Sequence, residues 1–115
     1  MNKIITGIIF FLFLGIANAQ DIKPKFEEQD GLTKATYFYD NGSIKEVGFF
    51  KNEKLHNKWI SYNKEGEITT IANYNNGKKD GKWYILSKDS IKEVTYKSNK
   101  LIKVENVKGS SLTYI

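Results

Sequence analysis

Trp59 and Trp83 stand 24 residues apart, and the same interval separates Gly42 from Gly66, Ile44 from Ile68, Phe50 from Tyr74, Lys54 from Lys78 and Lys58 from Lys82. Coincidences of this number at one spacing identify an internal repeat. The first unit reads ATYFYDNGSIKEVGFFKNEKLHNKW and the second WISYNKEGEITTIANYNNGKKDGKW. A third, WYILSKDSIKEVTYKSNKL, fits if one residue is lost at each of two turn-to-strand boundaries. The tetrapeptide Ile-Lys-Glu-Val occurs at 44–47 and again at 91–94.

One physical reading fits every unit. Runs such as Thr36-Tyr37-Phe38-Tyr39, Ile44 to Phe50 and Ile68 to Tyr74 are rich in aromatic and β-branched residues, which suit a pleated, half-buried surface. Between them fall Asn41-Gly42 and Glu65-Gly66, where glycine accepts positive φ. A longer polar connection follows, Asn75 to Gly81. A repeat is therefore two strands and two turns, with strands of ordinary length. A sustained helical period is absent from the chain after residue 19, and its many Asn, Gly and β-branched residues disfavour helix. In the second unit Ile68, Thr70, Ala72 and Tyr74 fall on one face and Thr69, Ile71 and Asn73 on the other. Such mixed alternation predicts an all-β antiparallel meander with at least one wet face.

The segment Asn73-Tyr74-Asn75-Asn76-Gly77-Lys78-Lys79-Asp80-Gly81-Lys82-Trp83 resembles a MORN repeat, most closely the bacterial variant found in small exported proteins and in proteins labelled antitoxins. The first unit keeps the frame but has Glu53 and Asn57 where the pattern has glycine. The resemblance covers about Tyr37 to Leu101. It implies an elongated, twisted sheet of stacked β-hairpins whose work is interaction: scaffolding, protein contact or membrane association. Toxin neutralisation fits an exported chain poorly. The repeat-defining residues are Gly42, Phe50, Trp59, Gly66, Tyr74, Gly77, Gly81 and Trp83.

The amino terminus carries the three parts of a secretory signal peptide: Lys3, an apolar run of 13 residues from Ile4 to Ile16, and the small-x-small site Ala17-Asn18-Ala19. The run is shorter than the roughly 20 apolar residues of a membrane-spanning helix. The chain thus divides into a signal peptide (1–19), a linker or loose arm (20–31) containing the only proline, Pro24, and a repeat domain (32–115). The expected location is extracytoplasmic, periplasmic or secreted.

Composition narrows the chemistry. Cysteine is absent, which excludes disulfides, thiolate metal sites and a cysteine nucleophile; a single histidine excludes multi-histidine metal sites. All 18 basic residues are lysine. Specific nucleic-acid recognition leans on arginine, so nucleic acid is not an expected partner. Removal of the signal peptide leaves a net charge of +4 on lysines scattered over turns and strand edges, which speaks to solubility and to blocking edge pairing.

Candidate catalytic groups weigh little. His56, the one group with an unperturbed pKa near neutrality, falls in an expected exposed turn where water defeats preorganisation. Glu65 with Glu67, or Glu27 with Glu28, would need to face each other across a cleft of about 5–9.5 Å to act on a glycoside. Asn41-Gly42-Ser43 matches a glycosylation sequon but is explained by the turn. Asp40, Asp80 and Glu65 are the oxygen donors to watch for a cation. The expectation is a non-enzyme without cofactor, metal site or catalytic residue, whose partner is a protein. Envelope glycan or a membrane surface is the rival, served by the thirteen aromatics beyond the signal peptide and by the lysines. Because 24 is even, Trp59 and Trp83 are expected on one face, with a side chain from the Ile68–Tyr74 run between them.

Overall fold

A computed structural model describes residues 22–107, all of them in strands, turns and short connections. The expected signal peptide lies outside the described residues. Nine strands form one antiparallel sheet: β1 (Lys25–Gln29), β2 (Leu32–Phe38), β3 (Ile44–Lys51), β4 (Lys54–Tyr62), β5 (Ile68–Asn75), β6 (Lys78–Lys79), β7 (Gly81–Ser87), β8 (Ser90–Lys97) and β9 (Lys100–Val107). They lie side by side in chain order, β6 pairing the end of β5 and β7 the rest of it. The described chain is thus the all-β antiparallel meander that the alternation predicts.

Tight turns build one end of the sheet. Asp30-Gly31, Asn52-Glu53, Asn76-Gly77 and Ser98-Asn99 each have both central residues at positive φ, as a type I′ hairpin requires. Glu53, at φ 68°, holds this conformation without being glycine or asparagine, at a cost of about 1–2 kcal/mol. At the other end, Gly42 and Gly66 both sit at φ 91° and donate their N–H to Tyr39 and Asn63, closing three-residue loops with a terminal bulge. The third hairpin is shorter, because Lys88-Asp89 joins Ser87 to Ser90 directly.

Two stretches differ from expectation. Lys25–Gln29, within the expected loose arm, is a strand paired to β2 from Lys25↔Thr36 to Gln29↔Leu32. The Asp30-Gly31 turn folds it back, and Phe26 meets the ring of Tyr37 edge-on at 6.3 Å. The polar stretch Asn75–Gly81 is not a long loop. It is a two-residue turn followed by β6 and a bulge, and its lysines are tolerated in the strand because that end of the sheet is wet.

A single sheet buries its core one row at a time. Thr36, Val47, Ile60, Ile71, Tyr84 and Glu93 pair in succession across six strands and so line one face. Ile71 and Thr36 are buried in this row, and Ile91 is buried on the same face. On the opposite face the buried residues are small: Ala35, Ala72 and Val94. Small side chains there leave room for large rings above them.

Candidate interaction surface

The small-residue face carries seven aromatic side chains in two groups. Phe26 meets Tyr37, Tyr37 stacks on Trp59 with centroids 6.1 Å apart, and Phe50 meets Trp59 edge-on at 5.5 Å. One unit later Trp83 lies between Tyr74 (5.3 Å) and Tyr96 (5.2 Å). Trp59 pairs with Ala72 in the register, and Tyr74 follows two residues on. Both tryptophans therefore lie on one face with β5 between them, as the even offset predicts. All these rings remain partly exposed, Phe26 most of all at 57%.

A bulge places each tryptophan. Val47 pairs with Ile60 and Phe49 with His56, so Asn57, Lys58 and Trp59 stand opposite Gly48 alone. The extra residues need Asn57 at φ 64°, and its equivalent Gly81 is at φ 89°. The bulge throws the indole back across the neighbouring strand. Trp59 Nε1 donates to the Phe49 carbonyl at 3.1 Å, and Trp83 Nε1 donates to the Asn73 carbonyl at 2.8 Å. Donor and acceptor are each displaced by 24 residues, so the repeat extends to single hydrogen bonds. Gly48 makes the first of these possible, since a Cβ there would overlap the indole.

The remaining repeat-defining residues serve turns and rings. Gly42, Gly66, Gly77 and Gly81 hold positive φ, while Phe50 and Tyr74 pack on the tryptophans. His56 is not in an exposed turn. It is half-buried in β4, and its Nδ1 accepts the Asn76 N–H at 3.1 Å. Asp80 occupies the same place one unit on, its Oδ1 accepting the Ser98 N–H at 3.0 Å. Beside these, Gly77 N–H donates to the Leu55 carbonyl and Asn99 N–H to the Lys79 carbonyl. Each tight turn is thereby clasped to the hairpin before it. Gly48, His56 and Asp80 were missed as a set from sequence. The signal was available: Gly48 and Ala72, like His56 and Asp80, are 24 apart.

Charge decorates the rings. The Lys79 amine lies 5.2 Å from the Trp83 centroid and 5.1 Å from that of Tyr96, a cation held over two π faces. Burial, followed by the nearby Glu46 carboxylate, pushes the Tyr74 hydroxyl up. Tyr37, Trp59, Lys45 and Glu46 line a shallow concavity of about 220 Å³. A larger one, about 550 Å³, lies at the Gly66 end of the sheet and is lined by Asn63, Glu67, Ile68, Thr69, Leu86 and Lys88 among others. On the opposite face Tyr84 donates to Glu93 at 2.9 Å, and Lys82 lies 3.5 Å from the same carboxylate. No three His, Cys, Asp or Glu side chains among the described residues are grouped so as to hold a metal ion. Asp40 instead pairs with Lys64 at 3.8 Å.

No protein-family model, curated protein or solved structure matches the chain.

Proposed function

We propose that this chain is an exported, non-enzymatic, MORN-like repeat protein that works as a protein-interaction or envelope scaffold module. The observation that carries the reading is the ring-bearing face. Seven aromatic side chains stand along one side of a single sheet, partly exposed and held by repeated bulges and hydrogen bonds. Aromatics fixed on a rigid element present large contact area with little freedom left to lose, which is the composition of interface hot spots. The concavity at Tyr37 and Trp59 is smaller than ordinary small-molecule pockets of about 300–1,000 Å³, so an extended partner fits this face better than an enclosed ligand. The signal-like first 19 residues support a place outside the cytoplasm.

A second reading, an envelope-glycan binding module, is favoured by one feature. Lys45 and Glu46 flank the Tyr37–Trp59 stack, placing polar groups beside two stacked rings inclined at 29°. A pull-down from envelope extract run beside a glycan array separates the two. Capture of one protein that is lost on Tyr37→Ala supports the scaffold reading. Glycan binding lost on the same substitution, with no protein captured, replaces it with the second.

A further inference from the structure

The two edges of the sheet are finished differently. β1 has five residues and follows Pro24. A short strand entered through proline is one way in which sheets blunt an edge. β9 has eight residues and no proline, and pairs only β8 among the described residues. Leu101, Ile102 and Val104 are each at least half exposed, at 55%, 55% and 50%. A bulge at Ile102 leaves Lys103 to Val107 as the straight stretch, paired in unbroken register from Lys103↔Thr95 to Val107↔Ile91.

The charges on that stretch do not repel a neighbour of the same kind. Lys103 and Glu105 are two residues apart on one face, 3.5 Å from each other, with about half their side-chain surface in water. Glu105 also stands directly opposite Glu93, a like charge. An added cation at this point would relieve that pair.

We infer that the outer edge of β9 pairs with β9 of a second copy of this chain, antiparallel about a two-fold axis through Val104. An antiparallel pair related by a two-fold axis normal to the sheet places residues of the same face opposite each other, so the numbers of opposed residues sum to an even value. Centred on Lys103 or on Glu105, the register opposes like charges. Centred on Val104, it sets Lys103 against Glu105 of the second copy and Glu105 against its Lys103, with Val104 facing Val104. The same axis keeps both ring-bearing faces on one side, giving a continuous doubled sheet. One strand pairing lies at the small end of interface sizes, below about 1,200 Å², so the dimer forms at micromolar concentrations or above.

The absence of cysteine makes the test clean. In the full chain, Val104→Cys is expected to form an intermolecular disulfide under mild oxidation, because opposed residues of an antiparallel pair have Cα atoms about 4.5–5.5 Å apart. Val107→Cys is expected not to crosslink, since two copies of that residue would lie about 20 Å apart. Lys103→Glu and Glu105→Lys are each expected to weaken self-association, measured by sedimentation, about tenfold or more. Mixing those two variants is expected to restore a dimer, because every opposed pair is then Lys with Glu. A wild-type chain that stays monomeric at high micromolar concentration overturns the inference, whether the edge is left open or covered by residues 108–115. So do equal crosslinking at 104 and 107, and a mixture no more associated than its components.

Discussion

The indole of Trp59 lies over Gly48 where any side chain would overlap it. Ala72 takes the equivalent place one unit later and is buried. Gly48→Ala is therefore expected to destabilise the fold by about 1–3 kcal/mol, the range for forcing extra volume into packed contact. Ala72→Gly is expected to cost only about 0.5–1 kcal/mol through backbone freedom. Urea midpoints of the two variants check this, and equal midpoints would show that the indole moves aside freely.

Trp83 contributes both ring area and one hydrogen bond, and the two can be separated. Its side chain is half-buried between Tyr74 and Tyr96, so Trp83→Ala is expected to cost about 2–3 kcal/mol, less than the 3–5 of a fully buried aromatic. Trp83→Phe keeps a ring between the tyrosines and loses the bond to the Asn73 carbonyl, a loss of about 1 kcal/mol. Trp83→Ala that remains as stable as wild type while losing partner capture would assign the indole to binding rather than to the fold.

The strand pattern and the faces were legible because an even repeat keeps every equivalent side chain on one side. The bulges were not. Their cause is a residue count between Val47↔Ile60 and Phe49↔His56, which appears only when strands are paired. The two Ile-Lys-Glu-Val tetrapeptides show the limit of likeness. Their offset of 47 is odd, and the sheet puts Val47 in one row with Glu93, so Glu46 and Glu93 face opposite sides. Glu46 lies beside Tyr37 and Trp59, whereas Glu93 holds Tyr84. The role of His56 was hidden for another reason. Its partner is the backbone of a turn 20 residues away, and a backbone group leaves no signature in sequence.

His56 and Asp80 accept equivalent backbone donors with different side chains. His56→Ala and Asp80→Ala are each expected to cost about 0.5–1.5 kcal/mol and to speed amide exchange at Asn76 and Ser98 respectively. His56→Asp, which copies the second unit into the first, is expected to keep Asn76 protected. Protection at Asn76 that survives His56→Ala would mean that the Gly77 to Leu55 backbone bond alone holds the turn.

Glu93 gives the fold an acid-sensitive contact. The hydrogen bond from Tyr84 holds its carboxyl below the usual value, and Lys82 adds to this while partial burial opposes it. A carboxyl lowered on folding stabilises the folded state in full above its unfolded pKa, and that stabilisation is lost as pH falls through the folded value. Tyr84 is the mirror case. Burial and then the Glu93 carboxylate push its hydroxyl up, so its contribution is complete below the ordinary tyrosine value of about 10 and fades as pH rises through the folded one. The stability difference between wild type and Tyr84→Phe is therefore expected to be level near neutrality. It should shrink as pH falls below the ordinary glutamate value of about 4.3 and again above about 10. Unfolding of both proteins across that range measures it, and subtracting one from the other removes the other carboxylates. A difference that stays flat through the acid limb would show that the Tyr84 hydroxyl does not depend on an ionised Glu93.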